Sequence, residues 1–174
     1  MATVPCIDDD RSASSVRVLV VEDYEPFRRF VCSTLGKRPQ LQIVGEVSEG
    51  LEAVRKAEEL QPDLILLDVG LPTLNGIESA RQIRKLSPES EILFVSQESS
   101  ADVVQEAFPL AALGYVVKPH PRTELLAAVE AVCQGRRFLS AGLAFHDPAE
   151  LSDRQATKSH HRDAVLPLMP EAED

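Results

Sequence analysis

Four apolar runs in this chain each end on a polar residue of a different kind, and together those residues could accept a phosphoryl group. Val16–Val21 leads into Glu22 and Asp23, Leu64–Leu67 into Asp68, Ile92–Val95 into Ser96, and Tyr115–Val117 into Lys118. A carboxylate can attack phosphorus and become an acyl phosphate. The oxygens of the group in flight carry developing charge, so cations must surround it. Mg2+ suits such a site because it takes oxygen ligands, keeps several waters, and uses one or two carboxylates plus phosphate oxygens. Asp23, with Glu22 beside it, and Asp68 can supply the carboxylates. The loop after Asp68 can add a backbone carbonyl, with Gly70 letting the chain approach closely. Lys118 offers a second cation, and Ser96 a hydroxyl donor. Each residue alone has a plainer explanation, since acids and serines after strands often only form turns or cap helices. Four such endings on successive runs argue against coincidence.

These residues meet only if the runs are neighbouring parallel strands. The run Val16–Val21, broken only by Arg17, suits a strand buried on both faces. Pro26 is placed to open a helix, Phe27, Phe30, Val31 and Leu35 follow helical spacing, and Gly36 can close it. Gln42–Val47 reads as the second strand. Leu51, Val54, Ala57 and Leu60 mark the second helix, stopped by Pro62. Ile77, Ala80, Ile83 and Leu86 mark the third. Val103, Val104 and Ala107 mark a short fourth helix, truncated by Pro109. After the fifth strand, Gly114–Val117, the residues Leu125, Leu126, Val129 and Val132 mark a fifth helix ended by Gly135.

Strict alternation of five strands and five helices implies an α/β, doubly wound parallel sheet with helices on both faces. The order 2-1-3-4-5 puts strands 1 and 3 at the switch point, where open α/β sheets bind ligands beyond their carboxyl ends. Glu22, Asp23 and Asp68 would line that crevice.

The 174 residues suit one domain plus some extra, and a 44% hydrophobic content supports an ordinary core. The net charge of −10 argues against a nucleic-acid surface, which needs clustered Lys and Arg. Cys6, Cys32 and Cys133 form no CxxC or Cys/His pattern, and the latter two fall at apolar helix positions, so they read as core residues in a reducing compartment. No signal peptide or membrane-length apolar stretch is present, and a cytoplasmic protein is expected. Residues 1–15 read as a disordered tail, including the Asp8–Asp10 triplet. Residues 139–174 read as a flexible tail, with Pro148, Pro167 and Pro170 interrupting it and at most a short helix over 151–157. The tail falls short of the roughly 50 residues of a small domain. His146, His160 and His161 in that tail, and His120, have no neighbours that would preorganise a metal site.

The segments VRVLVVEDYEPFRRF, DLILLDVGLPTLNGIE, ILFVSQES and GYVVKPH, in order and over residues 16–138, resemble the signature blocks of the receiver domain of bacterial two-component response regulators. The resemblance implies a flavodoxin-like receiver fold in which Asp68 accepts a phosphoryl group from a sensor histidine kinase or a phosphotransfer protein. It implies a Mg2+ site of Glu22, Asp23, Asp68 and the Gly70 carbonyl. It casts Ser96 as the switch hydroxyl, Tyr115 as the switch aromatic, Lys118 as the conserved-type lysine, and Pro119 as the partner in a cis peptide. The chain departs from that pattern in places. Glu22 stands where an Asp is more usual, and lengthens the arm. Gln97 follows the switch Ser, where it could narrow access to Asp68 and slow transfer or hydrolysis. Pro109 could loosen the face between the fourth and fifth helices.

The expectation is therefore a single-domain response regulator of a phosphorelay, a phospho-acceptor rather than an enzyme. Its output would be contact with a downstream protein through the face of the fourth helix, fifth strand and fifth helix. A homodimer through the same face is an assembly the resemblance implies, and no direct DNA binding or membrane contact is expected. LSDRQ, residues 151–155, resembles the start of a helix-turn-helix, but the tail is too short and acidic to complete one. The alternative is a pseudo-receiver that keeps the fold as an unphosphorylated interaction module. A hydrolase with an aspartyl nucleophile fits less well, because Gly70 holds the place where such enzymes carry a second Asp.

Overall fold

The computed structural model describes residues 15–110, 113–118 and 121–143, without the side chains of 121–123. Five strand–helix pairs come first: β1 (Val16–Val21), α1 (Glu25–Leu35), β2 (Leu41–Val47), α2 (Gly50–Leu60), β3 (Leu64–Leu67), α3 (Gly76–Leu86), β4 (Glu91–Ser96), α4 (Ala101–Ala107), β5 (Gly114–Val117) and α5 (Pro121–Cys133). A two-residue strand β6 (Phe138–Leu139) and a 3-10 turn at Ala141–Leu143 follow. All neighbouring strands pair in parallel, in the order β2-β1-β3-β4-β5-β6. The expected order is present, and β6 extends it by one strand beside β5.

Alternation along the strands divides the core into two layers. Leu19, Val21, Ile65, Leu67, Ile92, Phe94 and Tyr115 face α2, α3 and α4, where they meet Ala53, Ala57, Ile77, Ala80, Ile83 and Val104. Val18, Val20, Leu64, Leu66, Leu93, Val95 and Val116 face α1 and α5, where they meet Val31, Leu35, Leu125, Val129 and Val132. Every residue of β3 is buried, as a strand covered on both faces must be. Cys133 is buried in the second layer and Cys32 is half-buried, both as free thiols. Burial pushes both thiols up to about 11, which keeps them protonated at neutral pH.

Helix ends follow local chemistry. Pro26 lies in the first turn of α1, where its missing N–H is no loss. Gly36 ends that helix in the right-handed region, at φ −63°, so glycine's special freedom is not used there. Gly135, at φ +70°, does use it to turn the chain out of α5 toward β6. Asn75 caps α3, its side chain accepting from the Glu78 N–H at 2.9 Å. Pro109 sits in the 3-10 turn Phe108–Leu110 directly after α4, which matches the expected truncation. Leu51, expected on the buried face of α2, is 51% exposed, because that helix packs through Ala53, Val54 and Ala57. Among the described residues no helix is long and apolar enough to cross a membrane. Cys6, the Asp8–Asp10 triplet, Pro119, the four histidines and LSDRQ all lie outside the described residues, as do the N-terminal tail up to 14 and the tail from 144.

Candidate phosphoryl-acceptor site

Sheet register alone assembles the site. β1 lies between β2 and β3, and Val21 pairs with Leu67, so Glu22 and Asp68 emerge side by side. The Asp68 N–H donates to the Val21 carbonyl at 3.1 Å. Ser96 pairs with Val117, and the Lys118 N–H donates to the Ser96 carbonyl at 2.9 Å. The four strand ends thus converge at one edge, where the order reverses.

Lys118 Nζ lies 2.6 Å from Glu22 Oε2 and 3.0 Å from Asp68 Oδ2. All three side chains are at least nine-tenths buried, with exposures of 10%, 4% and 7%. The ammonium also stands 4.9 Å from the centre of the Phe27 ring, which favours the cation on that face. Glu22 Oε1 accepts from the Tyr24 N–H at 3.0 Å, and Asp68 Oδ1 accepts from the Gly70 N–H at 3.2 Å. Asp23 is exposed. A cleft of about 360 Å³ opens above, lined by Asp23, Asp68, Gly70, Ser96 and Lys118 and by the exposed Tyr24, Gln97 and Glu98.

Glu22, Asp23 and Asp68 bring carboxylate oxygens within 4.8 Å of one another. Three carboxylates against one ammonium leave two negative charges to be balanced when all are ionised. An all-oxygen donor set with that residual charge fits Mg2+. Burial raises the Glu22 carboxyl to about 6, outweighing the Lys118 ammonium, and the Asp68 charge adds to the rise. Glu22 therefore holds its proton more tightly folded than unfolded. Without metal, this group's stabilising contribution is complete below its ordinary value of 4.5 and is lost as pH rises through about 6. A divalent cation competes with that proton. Mg2+ affinity, measured by calorimetric titration, is expected to weaken up to about tenfold per pH unit below the Glu22 value and to level off above it. A flat profile from pH 5 to 7 would remove Glu22 from the ligand set.

Ser96 and Tyr115 meet through Glu98. Ser96 Oγ accepts from the Glu98 N–H at 3.1 Å, and the Tyr115 hydroxyl donates to the Glu98 carbonyl at 2.7 Å. Tyr115 is fully buried, with its ring centre 6.0 Å from that of Phe94. Burial lifts the phenol to about 12, so it remains a donor.

The described residues of the site expected from sequence lie at this edge: Glu22, Asp23, Asp68, Gly70, Ser96, Tyr115 and Lys118. Pro119, one position further on, is not among the described residues. An added Cβ at Gly70 would meet no protein atom within 4 Å, so packing within the protein does not require glycine there. The glycines tight against backbone are Gly76, whose Cβ would lie 1.9 Å from the Asp68 carbonyl oxygen, and Gly50, whose Cβ would lie 1.8 Å from that of Leu74. Phe27 was legible only as a helix residue, although its place four positions after Asp23 puts it one turn from the acids. Ser140 and Glu124, which hold the end of β5, carried no signal of a role.

Comparison with known proteins gives the family. The family model described as "Response regulator receiver domain" matches residues 18–130. DevR/DosR of Mycobacterium tuberculosis, a DNA-binding transcriptional activator, is 37% identical over 71% of this chain and 57% of its own length. The response regulator GacA of Pseudomonas viridiflava is 31% identical over 74% of this chain and 60% of its own length. The chain thus spans about three fifths of the length of such curated relatives. Among solved structures, a LuxR-family two-component response regulator from Aurantimonas sp. SI85-9A1 is 31% identical, with a TM-score of 0.72 over 82% of this chain and 99% of that one. The response regulator domain of Thermotoga maritima CheB is 34% identical, with a TM-score of 0.64 over 68% of this chain and 96% of that one. This chain belongs to the response regulator receiver domain family.

Proposed function

We propose that Asp68 accepts a phosphoryl group from the phosphohistidine of a sensor kinase or phosphotransfer protein. The observation that carries this reading is the buried Asp68 held 3.0 Å from Lys118 Nζ at a cleft lined by Ser96. In the step, an Asp68 carboxylate oxygen forms a bond to phosphorus while the bond from phosphorus to the histidine nitrogen breaks, and that nitrogen keeps the electron pair. Mg2+, held by Glu22, Asp23, Asp68 and the Gly70 carbonyl, would supply positive charge against the phosphoryl oxygens. Lys118 neutralises the same oxygens from the β5 side, and Ser96 can donate its hydroxyl to them.

The shared partner Glu98 suggests how the switch is wired. A Ser96 drawn toward a new phosphate pulls on the Glu98 N–H, and the carbonyl of the same residue is the acceptor of the Tyr115 hydroxyl. The phosphate thereby shifts a population between two arrangements of the β4–α4 segment. A homodimer or a downstream protein would read the change on the α4–β5–α5 face. The named relatives favour a second reading of the output. DevR/DosR is a DNA-binding activator, and NarL of Escherichia coli aligns over 86% of this chain at 31% identity. The receiver would then control a DNA-binding segment in a longer polypeptide. In either case the chain is the acceptor in a phosphorelay and needs no turnover of its own.

Incubation with labelled acetyl phosphate and Mg2+ tests the acceptor. Wild type is expected to take label, and Asp68→Asn to take none above background. Equal labelling of the two would remove Asp68 from its role, and no labelling of wild type would favour the pseudo-receiver.

A further inference from the structure

We propose that Ser140 is a positioning residue for Lys118, fixing the last peptide of β5 so that the ammonium stays between Glu22 and Asp68. The inference rests on the reading of Asp68 as phospho-acceptor. It starts from a gap in the sheet. β6 pairs with β5 only at Gly114 and Tyr115, yet β5 runs on to Val117. An edge N–H at Val117 then lacks a strand partner, and buried backbone donors require one.

Ser140 fills the gap. Its N–H donates to the Tyr115 carbonyl at 3.0 Å, which extends the ladder by one bond. Its Oγ accepts from the Val117 N–H at 2.8 Å. The same hydroxyl donates to Glu124 Oε2 in the first turn of α5, and the Ala141 N–H donates to Glu124 Oε1 at 3.1 Å. Ser140 is 2% exposed, and Leu143 behind it is 3% exposed in the core layer that contains Tyr115. The bond to an ionised carboxylate is of the stronger, charge-assisted kind.

The consequence falls on the next residue. Lys118 begins where Val117 ends, and its own N–H is held by the Ser96 carbonyl at 2.9 Å. Ser96 thus fixes the Val117–Lys118 peptide from the β4 side, and Ser140 fixes the preceding Val116–Val117 peptide from the β6 side. A lysine stem has four rotatable carbons, so the direction in which it leaves the backbone decides where its charge sits. Ser140 lies beyond residue 130, where the family match ends.

A double-mutant cycle on the full chain separates positioning from mere support, with the rate of labelling by acetyl phosphate in Mg2+ as readout. Ser140→Ala is expected to slow labelling roughly fivefold, the ratio that corresponds to one lost buried hydrogen bond. In a Lys118→Ala background the same change is expected to slow it by less than about twofold, because the group being positioned is gone. Equal slowing in both backgrounds would overturn the proposal, as would an unchanged rate in the Lys118 background of wild type. If Ser140→Ala does not fold, Glu124→Ala removes the acceptor of the Ser140 hydroxyl and runs through the same cycle with the same criterion. Failure of the acceptor reading is distinguishable, since it shows as label retained by Asp68→Asn whatever happens at Ser140.

Discussion

Lys118→Ala is expected to slow phosphoryl transfer to Asp68 by about a hundredfold at saturating Mg2+, the scale of losing one preorganised charge partner in a transition state. Lys118 Nζ is within 3.0 Å of both Glu22 and Asp68, is 10% exposed, and has a backbone held by Ser96. The ammonium needs no rearrangement as charge builds on the phosphoryl oxygens. The same substitution removes the cation from two buried carboxylates. Breaking a buried pair by deleting one partner costs about 3–5 kcal/mol when nothing replaces it. Here the exposed Asp23 side admits water and metal, so the loss is expected near the lower end of that range in metal-free buffer at pH 7. Millimolar Mg2+ is expected to restore much of it, because a cation that binds only the folded state stabilises by mass action. Urea unfolding with and without Mg2+ measures the loss and the recovery. A variant that labels at the wild-type rate, or whose instability ignores Mg2+, would contradict this account of Lys118.

The second large effect lies at a residue that makes no contact with the phosphoryl group. Gly76→Ala is expected to destabilise the protein by about 3 kcal/mol or more, the upper range for an overpacked site. The new Cβ would lie 1.9 Å from the Asp68 carbonyl oxygen and 2.8 Å from the Asp68 carbonyl carbon and Val69 Cα. These are backbone atoms at the acceptor itself, so no side chain can turn away to make room. The Gly76 N–H also donates to the Val69 carbonyl at 2.8 Å, which ties the start of α3 to the loop after β3. Relief of the clash must therefore move Asp68, and labelling should fall together with stability. Gly70→Ala is the contrasting case. Its Cβ meets nothing within 4 Å, and its stability change is expected within about 0.5 kcal/mol. Urea midpoints of the two variants decide the matter, and similar midpoints would show that the loop relaxes freely.

Much of the fold and of the site is legible in the sequence. Continuous apolar runs such as Leu64–Leu67 signal strands covered on both faces, and their alternation with helical spacing leaves few topologies. The terminal residues of those runs then fall together by register, which is why Glu22, Asp68, Ser96 and Lys118 could be grouped from spacing alone. Three features were not readable, each for a physical reason. β6 is two residues long, too short to show a period, and its pairing depends on a turn at Gly135 placing Phe138 beside Gly114. The role of Ser140 depends on contacts with Val117 and Glu124 that are 23 and 16 residues away in sequence. The need for glycine at 76 rather than 70 depends on how the loop after β3 folds back over α3, which no local pattern records. Leu51 shows the opposite error, since its spacing suits a buried face but the small residues Ala53 and Ala57 carry the contact instead.

Phosphorylation is proposed at one carboxylate of the β1–β3 switch point, Asp68. Reductive trapping tests it most directly: wild type is phosphorylated with acetyl phosphate and Mg2+, the acyl phosphate is reduced with borohydride, and the altered residue is located by peptide mass spectrometry. Modification is expected at position 68, and it should disappear when Mg2+ is chelated. Modification at Asp23 or Glu22 with position 68 untouched would contradict it.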